Sequence, residues 1–214
     1  MAKNHTANVE ITPLTKEVSR ESFFLVCEVF ATDSVLHSAV GISIEDYRRY
    51  LQASFKKMWK QGLSLVAIDR TNDELVGCLV ACDYTAQGES NAQVPPELHA
   101  VNALLRKLEN IYRLNRQLVP GKYMLIDMAI VKPTVRGSGV YRKLRESAHQ
   151  VGREAGFSLV VGELSSSATQ HLCINRFGHK VCAEIEYASF QYMDETPFAK
   201  IKDPKSIVFV EGEL

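Results

Sequence analysis

The sequence has no excess of charge of either sign: 25 Lys and Arg balance 25 Asp and Glu over 214 residues. A sequence-independent hold on DNA or RNA needs a basic surplus, so nucleic-acid binding of that kind is excluded, although a local basic patch is not. No apolar run reaches the roughly 18 residues of a membrane span, so no membrane partner is expected. The start, "MAKNHTANVE", is polar and lacks an apolar leader segment. It points to a cytoplasmic chain with reduced thiols. Five cysteines (Cys27, Cys78, Cys82, Cys173, Cys182) are an odd number. Cys78 and Cys82 fall four apart in a strand-like segment, on one face, with no Cys or His cluster to complete a zinc set. Buried free thiols and no metal are expected. Internal repeats and low-complexity segments are missing too, which leaves one domain over 1–214.

What is present is an alternation of helical and strand patterns. "NVEITPLT" suggests a first strand. Ser19 can cap a helix over "RESFFLVCEVFAT", with Phe24, Cys27, Val29 and Phe30 as its buried stripe. Asp33 and Ser34 interrupt it. Gly41 and Ser43 open a second helix, with Tyr47, Leu51, Phe55, Met58 and Trp59 on one face and Gly62 at its end. Two strands follow, "LSLVAID" and "ELVGCLVACDY". Then come a polar loop, "TAQGESNAQVPP", and a long helix expected to run to Pro120. "YMLIDMAIV" is an apolar strand, "GVYRKLRESAHQVGREAG" a helix, "FSLVVGEL" a strand and "SATQHLCINRFG" a short helix. The strands "KVCAEIEYASF" and "SIVFVEGEL" close the chain. This order predicts an α/β fold with a mixed central sheet of about seven strands flanked by helices.

The chemistry concentrates in "VKPTVRGSGVYRKL". A helix N-terminus leaves backbone N–H groups unpaired, and the glycines before it let an anion approach them. A pyrophosphate there would meet Arg136, Gly137, Ser138, Gly139, Val140 and Tyr141. An ordinary strand-to-helix turn would have the same glycines. A Walker A loop is absent, because no Gly-Lys-Ser/Thr follows its spacer. A dinucleotide fingerprint fails as well, because the third glycine is replaced by Arg142.

Arg136-Gly-Ser-Gly139-Val-Tyr141, preceded by "LIDMAIVKPTV", resembles motif A of the GNAT superfamily of acyl-CoA N-acyltransferases, whose turn cradles the pyrophosphate of coenzyme A. The element order follows that superfamily over nearly the whole chain. "FFLVCEVFATDSVLHSAVGI" is similar to an amino-terminal segment of the insect-type arylalkylamine (dopamine) N-acetyltransferases. The resemblance implies a GNAT fold splayed between its fourth and fifth strands, acetyl-CoA as co-substrate and a small primary amine as acceptor. A polyamine, a protein amine, or CoA binding without turnover are the alternatives. A monomer or homodimer is implied. Tyr141 departs from the pattern, which has Gly or Ala there. The side chain must turn away from the phosphates or narrow their site.

By the same resemblance, main-chain groups of Ala129, Ile130 and Val131 would hold the thioester carbonyl and the pantetheine arm. The base is left between Asp33, one position from the subgroup's glutamate, and Asp127, a lone carboxylate in an apolar strand. Either one has a structural reading as well, helix cap or hydrogen-bonded aspartate. Glu28 is a weaker candidate. Many of these enzymes protonate the leaving thiolate with a tyrosine, but Ile174 stands near that position. Ser166, in "LSSSATQ", is the best match to the insect-type hydroxyl residues, and it can also cap the helix. Phe23, Phe24, Phe30 and Tyr187 are expected either to line an aromatic amine site or to pack in the core. No Ser-His-Asp order with supporting motifs points to a hydrolase.

Overall fold

The computed structural model describes residues 8–86, 93–114 and 116–214. Of the loop expected over 85–96, residues 87–92 lie outside those described. Seven strands form one sheet in the order β1-β2-β3-β4-β5-β7-β6. They are β1 (Val9–Pro13), β2 (Leu65–Asp69), β3 (Glu74–Asp83), β4 (Tyr123–Val131), β5 (Leu159–Leu164), β6 (Lys180–Glu186) and β7 (Ser206–Glu213). Only β4 and β5 run parallel; every other pair is antiparallel.

The helices are α1 (Lys16–Asp33), α2 (Val35–Val40), α3 (Ile44–Met58), α4 (His99–Arg113), α5 (Val140–Glu154) and α6 (Ser167–Gln170). A π-helical turn over His171–Arg176 continues α6. Helices α1, α3 and α4 bury one face of the sheet, where Val26, Leu51, Leu104, Cys78, Val80 and Leu125 share a core. Helix α5 covers the other face, with Val140, Leu144 and Ala148 against Leu79, Ala81 and Ile126. β3 is buried along nearly all its length because both faces are covered. Cys78 and Cys82 do share a face, and all five cysteines are free thiols.

Several boundaries differ from the sequence reading: the strand expected over 180–190, for one, ends at Glu186, where a 3-10 turn takes over Tyr187–Ser189. α1 begins at Lys16 after an extended Thr15. Ser19 is inside its first turn, donating its Oγ–H to Lys16 O at 2.8 Å rather than capping. A short α2 follows the extended Ser34 and ends on Gly41 at φ 68°. Six residues are too few to display a helical period. α4 stops at Arg113, well before Pro120, where Leu114 turns to ψ 123°. Phe24, placed in the buried stripe of α1, is instead exposed, with the Arg48 guanidinium 4.7 Å from its ring.

Two features open the sheet. β3 pairs Val80 with Met128 and Ala81 with Ile126, so Asp127 is an extra residue on β4, a bulge without a partner. Beyond Leu125↔Val161, β4 and β5 no longer pair. Gly162 lies where they part, and a Cβ there would come within 2.9 Å of Ile126 O. The divergence is the splay expected between the fourth and fifth strands.

Candidate active site

A cavity of about 1560 Å³ passes through this gap, lined by residues from both faces of the sheet. On the α5 side its wall is formed by the turn before α5 and by α6. Gly137 and Gly139 adopt φ 75° and 86°, a left-handed backbone that other residues rarely take, which is why the turn is glycine-rich. Gly139 is the N-cap of α5 and supplies no side-chain cap. The first N–H groups of the helix therefore face the cavity side without a side-chain acceptor.

Arg136, Gly137, Gly139 and Tyr141 line the cavity. Ser138 and Val140 do not: Ser138 donates its hydroxyl to Val135 O at 2.5 Å, and Val140 is buried under the sheet. Either one reaches a ligand through its main chain at most. The Tyr141 side chain runs along its own helix, with Oη accepting from Arg145 Nε at 3.2 Å and Nη2 at 3.0 Å. It is still part of the cavity wall.

On the far side the lining is aromatic and polar, with Phe30, His37, Tyr47, Tyr50 and Asn102. Of the aromatic residues foreseen, only Phe30 is here. Phe23 packs on Phe55, and Tyr187 is buried with its hydroxyl on Ser165 O at 3.2 Å. The ring of His37 meets Tyr47 edge-on at 4.8 Å and its Nδ1 lies 2.8 Å from Ser34 Oγ. Burial pushes this imidazole down to about 4, so it is neutral near pH 7.

Where the arms meet, the lining includes Asp127, Ala129, Ile130, Glu163 and Ser166. The edge of β4 carrying Ala129, Ile130 and Val131 pairs with β3 on one side only, since β5 has departed on the other. Main-chain donors and acceptors are thus left open toward the gap. Asp127 is open to the cavity but enclosed by protein elsewhere, and desolvation raises it to about 6. Glu163, two residues beyond the last β4–β5 pair as Asp127 is, is raised to about 8 by burial and then by the Asp127 charge. Glu163 was not anticipated from the sequence. Its one signal there is a carboxylate near the end of the apolar run "FSLVVGEL".

The remaining candidates separate. Asp33 is at the cavity wall, ion-paired to Arg136. Ser166 is the N-cap of α6, its Oγ accepting from Thr169 N at 3.3 Å. Because Thr169 Oγ1 donates to Ser166 O at 2.9 Å, the Ser166 hydroxyl is the donor in its 3.0 Å contact with Thr169 Oγ1. Glu28 is exposed outside the cavity, and Ile174 packs beside Leu164 and Cys173. Among the described residues no group of three or more His, Cys, Asp or Glu side chains converges on one point. None of the described helices is long and apolar enough to cross a membrane.

No protein-family model and no curated protein sequence matches the chain. Solved structures do. The C-terminal condensation domain of Ebony, in complex with beta-alanyl-dopamine, superposes with a TM-score of 0.86 at 19% identity, covering 96% of this chain and 99% of that one. Arylalkylamine N-acetyltransferase 2 from Aedes aegypti matches with a TM-score of 0.77 at 18% identity, over 95% and 97%. The polyamine N-acetyltransferase of Drosophila melanogaster, which forms N-acetylagmatine, gives 0.71 at 17%, over 96% and 100%. Likeness at these identities establishes the fold, and it is the GNAT fold expected from the turn and the element order.

Proposed function

We propose that this protein transfers an acyl group from an acyl-CoA thioester, acetyl-CoA in the simplest case, to the primary amine of a small molecule. The observation that carries this reading is the passage through the splayed sheet. It has a glycine-rich turn opening a helix at one end, an aromatic chamber at the other, and between them an ionisable carboxylate with no side-chain hydrogen bond among the described residues. Similar structures include enzymes that acetylate arylalkylamines and polyamines.

In this reading the turn from Arg136 to Tyr141 receives the phosphates, and the open edge at Ala129, Ile130 and Val131 aligns the thioester. Asp127 accepts a proton from the incoming ammonium. The freed amine attacks the carbonyl carbon and the C–S bond breaks; the leaving thiolate takes a proton from Ser166 as Ser166 takes one from the attacking nitrogen, which restores the hydroxyl. Asp33 holds Arg136 instead of acting as base.

A second reading concerns the reactants. Glu163, a protonated carboxyl beside Asp127, would ionise next to a second ammonium group, which favours a donor or acceptor carrying a further amino group. That fits the neighbours that act on polyamines or hold beta-alanyl-dopamine. The test is a thiol-release assay with acetyl-CoA and beta-alanyl-CoA over monoamines, diamines and arylalkylamines. Release with some amine, lost in Asp127→Asn, is expected. CoA binding without release from either donor would sink the enzymatic reading, and preference for acetyl-CoA with simple monoamines would sink the second.

A further inference from the structure

Arg145 is 3% exposed, yet it lines the cavity between α5 and α6. Arg136 and Arg142, in the same wall, already face carboxylates: Asp33 at 2.6 Å and Glu146 at 2.7 Å. Arg145 does not. Its hydrogen bonds go to Tyr141 Oη, with the guanidinium 5.5 Å from that ring. The titratable groups around it are Tyr141, His149, Cys173 and His179. Burial raises Tyr141 and Cys173 and lowers His149 to about 3 and His179 to about 4. All four are neutral near pH 7, so none offsets the arginine charge. A buried cation without a counter-charge is unfavourable unless something else supplies the anion.

We infer that Arg145, aimed by Tyr141, is a buried anchor for a phosphate group of the acyl donor, reached through the arm of the cavity between α5 and α6. This rests on the acyl-CoA reading above. It also gives Tyr141 a purpose: the residue that departs from the motif holds the arginine that takes the phosphate. Arg145 is a binding residue here, and Tyr141 a positioning one.

The experiment is calorimetric titration of the native protein, Arg145→Met, Arg145→Lys and Tyr141→Phe with CoA, 3′-dephospho-CoA and inorganic pyrophosphate, beside melting curves of each protein without ligand. Arg145→Met is expected to weaken CoA by about tenfold or more, the scale of a lost charge-assisted hydrogen bond. Its ligand-free melting temperature should hold or rise, because an uncompensated buried charge has been replaced by an apolar chain. Arg145→Lys and Tyr141→Phe should fall between. If the Met penalty vanishes with 3′-dephospho-CoA, the group held is the 3′-phosphate; if it persists there and with pyrophosphate, it is the pyrophosphate. A folded Arg145→Met that binds CoA within twofold of native overturns the inference, as does a folded native protein that binds neither CoA nor pyrophosphate. CoA binding that depends on Arg145 without acyl transfer would remove the enzymatic reading and leave this one standing.

Discussion

Asp33, the last residue of α1, and Arg136, in the turn before α5, are 103 positions apart in sequence and joined by a 2.6 Å ion pair. The pair ties the wall of the aromatic chamber to the turn proposed to take the donor. Both side chains are partly exposed, so its own worth to stability is small, ~0–1 kcal/mol. Its effect on binding should be larger, because an incoming phosphate competes with Asp33 for the guanidinium. Asp33→Asn is expected to tighten CoA several-fold with little change in melting temperature, and Arg136→Met to weaken it. Calorimetry at two salt concentrations checks both, and weaker CoA binding in Asp33→Asn would show that the pair organises the turn instead of guarding it.

Asp127 as base predicts a particular pH profile. A carboxyl raised to about 6 by desolvation is ionised and able to accept a proton above that pH. Activity as kcat/KM should therefore fall below about pH 6. Asp127→Asn should lower kcat by roughly 10²-fold or more and abolish that limb, with KM for CoA unchanged. If Asp33→Asn is the variant that loses kcat instead, the base has been misassigned.

Much of this arrangement is legible in the sequence, and the parts that are not share a cause. The turn is readable because Gly137 and Gly139 satisfy a backbone requirement that few residues meet. Asp127 stands out because a carboxylate in the middle of an apolar strand has few uses. Ser43 and Gly62 bracket α3 and its final turn as their chemistry predicts. Glu163 is different. By alternation alone it is an unremarked polar residue near a strand end, and it borders the cavity only because β5 leaves β4 after Val161. Phe24 and Tyr187 fail in the same way: a residue's type does not say whether it faces a chamber, the core or solvent when neighbouring helices decide. α2 is hidden by its length, and the early end of α4 by the absence of any breaker before Pro120.

Glu163 should leave a mark on stability that needs no substrate to detect. Its carboxyl titrates near 4.5 when unfolded and at about 8 in the folded protein. Between those values the folded state keeps a proton that the unfolded chain has released, so rising pH destabilises the fold. The slope is at most ~1.4 kcal/mol per pH unit over that window. Glu163→Gln removes the titration. Its melting temperature should match or approach native near pH 5 and exceed it progressively toward pH 8. A constant difference across that range would mean that Glu163 is not held protonated.

The opposite sign is expected of the histidine pair that joins α5 to the segment before β6. His149 and His179 stack at 5.3 Å, 8% and 4% exposed, and burial depresses them to about 3 and 4. Below pH 6.5 the unfolded chain takes up protons that the folded rings refuse, so stability is lost as pH falls from 6.5 toward 4. His179→Phe, a larger ring without the charge, should flatten that loss, whatever its overpacking costs at all pH values. The ring packs directly on Gly212: a Cβ there would fall 2.3 Å from His179 Cδ2. Gly212→Ala should therefore destabilise the protein by ~1–3 kcal/mol at neutral pH, the scale of an overpacked core. Melting curves of both variants from pH 4 to 7 separate the two effects. An unchanged acid slope in His179→Phe would shift the acid limit to His149 or His37, whose ring is likewise buried and depressed.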